Sequence, residues 1–382
     1  MVLARLAPII TRPQYYATDD FFPYWAAGKL NLSGENPYDA QKKESLLIEE
    51  SGHPSNTYPI SIMLNPPWAV AMVMPFGLID YPTSRLVWLL SSIAFIVVSA
   101  QLLWRFYKGH PRQRWIAWIV VILFAPTISV LEVGQISAWL LLGITGFLFF
   151  SCLHKNDWAA GAFLAIVAIK PQSIYIFWIA LLFWVIQQRR WWILVSFALT
   201  ILLLTLVAMV FNPHIINQYI VMMQTGYLPE LATPTIGSYL RFFWLGTDKF
   251  WLQFIAPIFG GLWFLFYWYK HHDSWSWLIS IPIILLVSQV TAPYTYTYDQ
   301  VILIPAIILA CIWLVKDWKR WSTLFFIGVF LLINILDLVL HMKLSDFWFI
   351  WMAPALLIWF LLIQRQYNDS KDSGTPPVLE LN

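Results

Sequence analysis

The residues able to do chemistry gather in a few short segments. Asp19 and Asp20 stand side by side, and Tyr24 follows Asp20 by four positions. Glu132 and Gln135 bracket the tight turn Glu132-Val133-Gly134-Gln135, and Lys170 precedes Pro171. Arg241 ends Ser238-Tyr239-Leu240-Arg241, and Tyr298-Asp299 closes a tyrosine-rich run that begins at Pro293. Carboxylates are candidates for moving protons, and cations for holding negative charge. Each residue also has a plainer reading. Paired loop carboxylates are more often solvated than catalytic, and Glu132 suits a hairpin cap. Lys170 suits a snorkelling anchor, Arg241 a generic lipid-headgroup contact, and Asp299 a helix cap. His53, His214 and His341 lack metal-ligand spacing, while Cys152 and Cys311 lie in apolar runs and read as small buried hydrophobes. No CxxC, HExxH, GxxxxGK[ST] or GxGxxG occurs. No cofactor and no metal-ligand set is therefore expected, which leaves dependence on a divalent cation open.

The elements that must position these residues follow from composition. Of 382 residues, 60% are apolar and 11% charged, with 23 Lys+Arg against 20 Asp+Glu. That excludes an ordinary soluble domain, a nucleic-acid binder, a disulfide scaffold and a disordered chain. The 24 Trp, 27 Phe and 17 Tyr suit an interfacial belt. An all-α polytopic membrane protein remains. Apolar runs at 83–104, 115–131, 136–152, 157–170, 173–187, 191–211, 251–269, 274–292, 300–316, 321–341 and 346–364 predict about eleven crossings. The weakest pair, 157–170 with 173–187, also reads as one hairpin broken around Lys170-Pro171-Gln172.

The connecting loops alternate in charge. One set carries Arg105, Lys108, Arg112, Arg114, Lys155, Arg189, Arg190, Lys270, Lys316, Lys319, Arg320, Arg365 and Lys371; the other is nearly bare. The first set belongs in the cytoplasm by the positive-inside rule. Residues 1–82 then form an extracytoplasmic first loop, 83–364 the bundle, and 365–382 a disordered cytoplasmic tail. Residues 1–10 are too short to cross, so either the N-terminus is translocated unaided or an upstream helix is missing, and the second is expected. Within the first loop, Asp39 should cap a short surface helix through Glu50, and Asn65-Pro66-Pro67-Trp68 should open a second apolar piece ending near Pro75. On this topology Asp19, Asp20, Glu132, Lys170, Arg241 and Asp299 share the outer face, with Asp337 about one turn below it. Such a convergence suggests a catalytic cavity opening outward.

The outer segment resembles a known family. Asp20-Phe21-Phe22-Pro23-Tyr24-Trp25-Ala26-Ala27-Gly28 followed by Gly34-Glu35-Asn36-Pro37-Tyr38-Asp39 is similar to the D-x-x-x-Y…A…G-x-x-P-Y opening of glycosyltransferase family 87. Asn65-Pro66-Pro67-Trp68, Pro75, Gly134-Gln135, Lys170-Pro171-Gln172, Ser238-Tyr239-Leu240-Arg241 and Ala292-Pro293-Tyr294 resemble further family segments in order. The resemblance implies a GT-C fold and an integral-membrane, polyprenyl-phosphate-mannose-dependent type of enzyme. It implies Asp20 as the general base, with Asp19 as its rival. Two departures stand out: the family's helix before this aspartate is absent, and Tyr294, Tyr296, Tyr298 and Asp299 stand where some members have histidines.

The expectation is an inverting transfer of a hexose, mannose first, from a polyprenyl phosphate to a glycolipid or glycan. It would take place on the extracytoplasmic side of the cell membrane. Partial burial at the membrane edge should make Asp20 a better base. Lys170 and Arg241 would face the departing phosphate, with Tyr24, Glu132, Gln135, Tyr298 and Asp299 lining the donor site. Membrane lipids are the other expected partners, and nucleic acid is not. The alternatives are a polymerase or ligase using a lipid-diphosphate donor, and, in another class, a secondary transporter. No repeated half of the transporter kind is visible.

Overall fold

The computed structural model describes residues 19–51, 63–224, 231–316 and 321–372. All regular structure among them is helical. In chain order the helices are α1 (Phe22–Leu32), α2 (Ala40–Ser51), α3 (Pro67–Gly77), α4 (Tyr81–Phe106), α5 (Trp115–Leu123), α6 (Ala125–Val133), α7 (Ser137–Leu148), α8 (Asp157–Val167) and α9 (Tyr175–Gln188). They continue with α10 (Trp191–Phe211), α11 (Ile215–Gln224), α12 (Ile236–Tyr239), α13 (Ile255–His271), α14 (Trp277–Thr291), α15 (Ile304–Lys316), α16 (Trp321–Leu340) and α17 (Met352–Asp372). Residues 1–18, with the short N-terminal stretch 1–10, and the tail beyond 372 lie outside the described residues.

Among the described residues six helical stretches are long and apolar enough to cross a membrane: Tyr81–Phe106, Trp191–Phe211, Phe250–Ser274, Thr297–Lys316, Trp321–Leu340 and Asp346–Asp369. Two bent pairs bring the number to eight if each is one span. Length and composition therefore support six to eight of the eleven expected crossings. The other runs are apolar but shorter: Ser137–Leu153 and Trp277–Thr291 lie at or below the low end of the roughly 17–25 residues a crossing takes. The expected span 115–131 breaks at Phe124, which is extended; Pro126, two positions on, has no N–H with which to carry the helix across. The break frees the Ala125 N–H, and Asn334 on α16 accepts it at 2.6 Å. A side chain from another helix thus replaces the lost helical bond. The doubtful pair 157–170 and 173–187 is bent by 116°, with Pro171 opening a 3-10 turn after Lys170. Outward-facing Leu199, Leu202, Leu203, Leu206 and Val210 on α10 are exposed, as lipid-facing side chains are.

The chain divides into two compact units, residues 1–99, 126–171 and 181–231 against 100–125, 172–180 and 232–382. In the first, α8 packs on α7 and α10, and α3 packs on α1 and α10. α1 is buried nearly all round, from Phe22 to Asn31, which identifies it as a core helix. Its start is set by Asp19, whose Oδ1 accepts the N–H groups of Phe21 (3.0 Å) and Phe22 (3.2 Å). Asp39 caps α2 as expected, accepting from Gln41 at 2.9 Å and Lys42 at 3.2 Å. α3 opens at Pro67, where a missing N–H costs nothing, and ends at Gly77. In the second unit α17 packs on α14, α15 and α16, α15 also on α5, and α13 on α14.

One residue of α2 departs from the expected surface helix. Lys43 faces inward at 1% exposure, and its ammonium finds no hydrogen-bond partner among the described residues. Burial pushes it down to about 7, against the pull of Asp39. A lysine depressed in the folded state destabilises most where it must carry its charge, below about pH 7; that cost fades as pH rises toward the ordinary value. Lys43→Met should accordingly raise the thermal unfolding midpoint by a few degrees, on the order expected for 1 kcal/mol or more, and more at pH 6 than at pH 9. Unfolding curves of the detergent-solubilised protein at the two pH values check this.

Candidate active site

In the first unit three of the sequence candidates, Asp20, Tyr24 and Lys170, meet on the side chain of a fourth, Gln135. It follows Gly134 in the turn after α6, and its backbone N–H bonds Val130 O at 3.1 Å. The Gln135 amide oxygen accepts the Tyr24 hydroxyl at 2.7 Å, the Lys170 ammonium at 2.7 Å and the Ile136 N–H at 3.1 Å. Its Nε2 donates to Asp20 Oδ2 at 3.0 Å. Gln135 and Lys170 are only 8% and 7% exposed, and Asp20 is half-buried. The snorkelling reading of Lys170 therefore fails, because its charge is spent inside the protein. The arrangement links a cation to a carboxylate through a neutral amide. Each bond polarises the next, and the Gln135 amide fixes where the carboxylate oxygen lies. That suits a group that must accept a proton.

Asp19 plays a different part. Arg85 Nε donates to its Oδ2 at 2.6 Å and the Tyr81 hydroxyl to its Oδ1 at 3.1 Å. Arg85 also reaches the turn that holds Gln135, donating through Nη2 to the carbonyls of Leu131 (3.1 Å) and Glu132 (2.9 Å). Burial pushes the Asp19 carboxyl up to about 6, while Arg85 pulls it down. Asp19 is thus committed to a cap and an ion pair, whereas Asp20 faces the amide. The Asp20 backbone N–H bonds Val133 O at 2.9 Å, which joins the two segments directly. Gly134 has φ +72°, and a Cβ there would lie 2.7 Å from Phe21 Cβ and 3.2 Å from the Arg85 guanidinium. Both the backbone and the space require glycine.

Two more family-like segments meet beside Lys170. The Tyr38 hydroxyl donates to Asn65 O at 3.1 Å, and Asn65 Nδ2 to Ile169 O at 3.4 Å. Glu132 contributes its backbone carbonyl to Arg85.

The remaining candidates belong to the second unit. Arg241 is buried and donates to Gln253 Oε1 at 3.3 Å and Thr247 O at 2.9 Å. Gln253 Nε2 in turn donates to Thr235 Oγ1 at 2.8 Å and to the Pro293 carbonyl. One glutamine therefore ties the Ser238–Arg241 segment to the Ala292-Pro293-Tyr294 segment. Asp299 does act as a cap, accepting the Tyr296 N–H at 3.1 Å, and Tyr298 stacks on Tyr296 with ring centres 5.1 Å apart. His341 lies between two carboxylates, with Nε2 3.1 Å from Asp346 and Nδ1 3.3 Å from Asp337. Burial would lower the imidazole, but the hydrogen bonds and charges of Asp337 and Asp346 outweigh it and raise it to about 9. Asp346 also accepts the Thr297 N–H at 3.1 Å, so the cluster ties two loops. A histidine raised in the folded state stabilises fully below its unfolded value near 6.5, and the gain disappears as pH rises through about 9. The unfolding midpoint should fall between pH 6.5 and 9.5, and His341→Gln should flatten that slope in the same thermal scan.

Arg85, Tyr81 and Gln253 escaped the sequence reading. Arg85 had a usable signal, since an arginine inside the run 83–104 is an ionisable group within a span. Sorting charges by loop passed over it. Gln253 carried no such mark. Among the described residues no three His, Cys, Asp or Glu side chains come together to hold a metal ion.

No match appears among curated proteins or among solved structures. A family profile does match, that of glycosyltransferase family 87, over residues 64–288. The match contains Arg85, Glu132, Gln135, Lys170 and Arg241, begins after Asp19, Asp20 and Tyr24, and stops short of Tyr298 and Asp299. It covers more than half of the chain and agrees with an all-helical body carrying several apolar helices long enough to span a bilayer. This membrane protein belongs to glycosyltransferase family 87.

Proposed function

We propose that this glycosyltransferase moves a hexose, mannose first, from a polyprenyl phosphate to a hydroxyl of a glycolipid or glycan, with Asp20 as general base. The observation that carries the reading is the chain of bonds from Lys170 through Gln135 to the Asp20 carboxylate. The acceptor oxygen attacks the anomeric carbon as its proton passes to Asp20. The bond from that carbon to the lipid phosphate breaks, and its electron pair leaves on the phosphate. One displacement inverts the anomeric centre. A positioned base contributes about 10²–10⁴-fold. The departing phosphate needs positive charge where its own accumulates, which is the part given to Lys170. Tyr24 and Gln135 hold the base, and Glu132 is assigned to the donor site beside them. The lipid tail of such a donor stays in the bilayer while its head reaches the surface, so the active site is placed at the extracytoplasmic face of the cell membrane.

The test gives purified protein in liposomes a polyprenyl-phosphate mannose and a crude lipid extract, and follows free polyprenyl phosphate by mass spectrometry. Release that depends on Asp20 supports the donor class and the base together. Parallel reactions with other hexoses decide the sugar. Release only from a lipid-diphosphate sugar would replace the donor with that of a polymerase or ligase. Family membership gives the transporter alternative no support.

A further inference from the structure

We propose that Arg85 is a positioning residue for transfer: paired with Asp19, it locks the Asp19-Asp20 segment onto the turn 131–135 and so fixes the Asp20 carboxylate against the Gln135 amide. This rests on the reading of Asp20 as the base. Arg85 is 0% exposed, so it acts through its neighbours and not on a substrate. Its guanidinium bridges segments far apart in the chain, with Nε on Asp19 and Nη2 on the carbonyls of Leu131 and Glu132. Beside that bridge Asp20 N–H bonds Val133 O, and a Cβ added at Gly134 would lie 3.2 Å from the guanidinium. A planar fork of donors can hold three acceptors in one geometry; a lysine ammonium holds them as a point charge.

A buried ion pair is a poor choice for stability alone, since apolar residues of similar volume often hold helices as well. What apolar packing does not supply is a fixed register between two loops. Here that register is the separation between Asp20 and Gln135, and misplacing a reacting group by about 1 Å can cost 10²-fold in rate. The state of Asp19 agrees. Burial pushes its carboxyl up to about 6, and Arg85 is the group that holds it down. Without the cation Asp19 would stay protonated near neutrality and loosen its hold on the turn.

The experiment compares the wild-type full chain with Arg85→Lys, Arg85→Met and the charge-balanced Asp19→Asn/Arg85→Met double variant, in liposomes. The first readout is hydrogen exchange of the peptide carrying residues 19–24. Arg85→Met and the double variant should lose protection at Asp20, Phe21 and Phe22 while peptides from α7 and α10 keep theirs. The second is transfer from polyprenyl-phosphate mannose. Per folded molecule, kcat should fall at least about tenfold in Arg85→Met and the double variant, with donor KM within about threefold, and Arg85→Lys should fall between. Unchanged exchange at 19–24, or an unchanged kcat, in a folded variant overturns the proposal. A raised KM with kcat intact overturns it too, because it would place Arg85 on the substrate. If wild-type protein transfers from no polyprenyl-phosphate sugar, the functional reading has failed, and the exchange readout still decides whether Arg85 holds Asp20 in place.

Discussion

Asp20→Asn should lower turnover by about 10²–10⁴-fold while leaving the amount of folded protein and its unfolding midpoint close to wild type. Asparagine keeps the shape of aspartate and retains an oxygen for the Gln135 amide, which donates to Asp20 Oδ2 at 3.0 Å. What is removed is the negative charge and, with it, the ability to take a proton. Asp19→Asn should behave in the opposite way. It leaves the Arg85 guanidinium buried without its counter-charge, and breaking a buried pair from one side costs about 3–5 kcal/mol. Its signature is therefore a low yield of folded protein, with the survivors keeping a larger share of turnover than Asp20→Asn. Turnover normalised to the monodisperse fraction separates the two. Near wild-type turnover in Asp20→Asn, with a folded but inactive Asp19→Asn, would transfer the role of base to Asp19.

A comparably large stability effect should come from a single methyl group at Gly77. A Cβ there would lie 2.6 Å from the Gly28 carbonyl carbon and 2.8 Å from Lys29 Cα. Both are backbone atoms of α1, so neither can turn aside as a side-chain tip does. Gly77→Ala has to push α3 off α1, the helix that carries Tyr24 and follows directly on Asp20. Overpacking of a core typically costs 1–3 kcal/mol where side chains can adjust, and a backbone clash should reach at least about 3 kcal/mol. Solubilised yield should fall sharply and any folded remainder should melt earlier. Gly261→Ala is the control, since nothing lies within 4 Å of its added Cβ. A midpoint for Gly77→Ala within a degree or two of that control would show that α1 and α3 can separate at little cost.

Much of this chain is legible one segment at a time. Asp39 caps α2 because its carboxylate bonds the amides two and three positions on, an interaction contained in four residues. Pro67 opens α3 and Pro171 follows the break at Lys170 for equally local reasons. The ordered family-like segments from Asp20 to Pro293 pointed to the family that the match over 64–288 then supported. Crossings were harder. A helix such as α14 is apolar because it is buried in protein, and hydropathy alone does not distinguish that from contact with lipid. Nor does hydropathy reveal that the run 115–131 is two helices, one of them started by Asn334 from more than two hundred positions away.

The sequence by itself determined that this is a helical membrane protein of glycosyltransferase family 87, and it supplied Asp20, Tyr24, Gln135 and Lys170 as candidates. Composition, capping and motif order are properties of neighbouring residues, so they survive without coordinates. Only the tertiary structure decided that those four share one hydrogen-bonded network, that Asp19 is committed to Arg85, and that Gln135 is the hub. Lys170 and Asp20 each reach Gln135 from distant parts of the chain, and Asp19 reaches Arg85 across 66 positions. Such pairings depend on how helices pack, because a carboxylate in sequence looks the same whether it awaits a proton or an arginine.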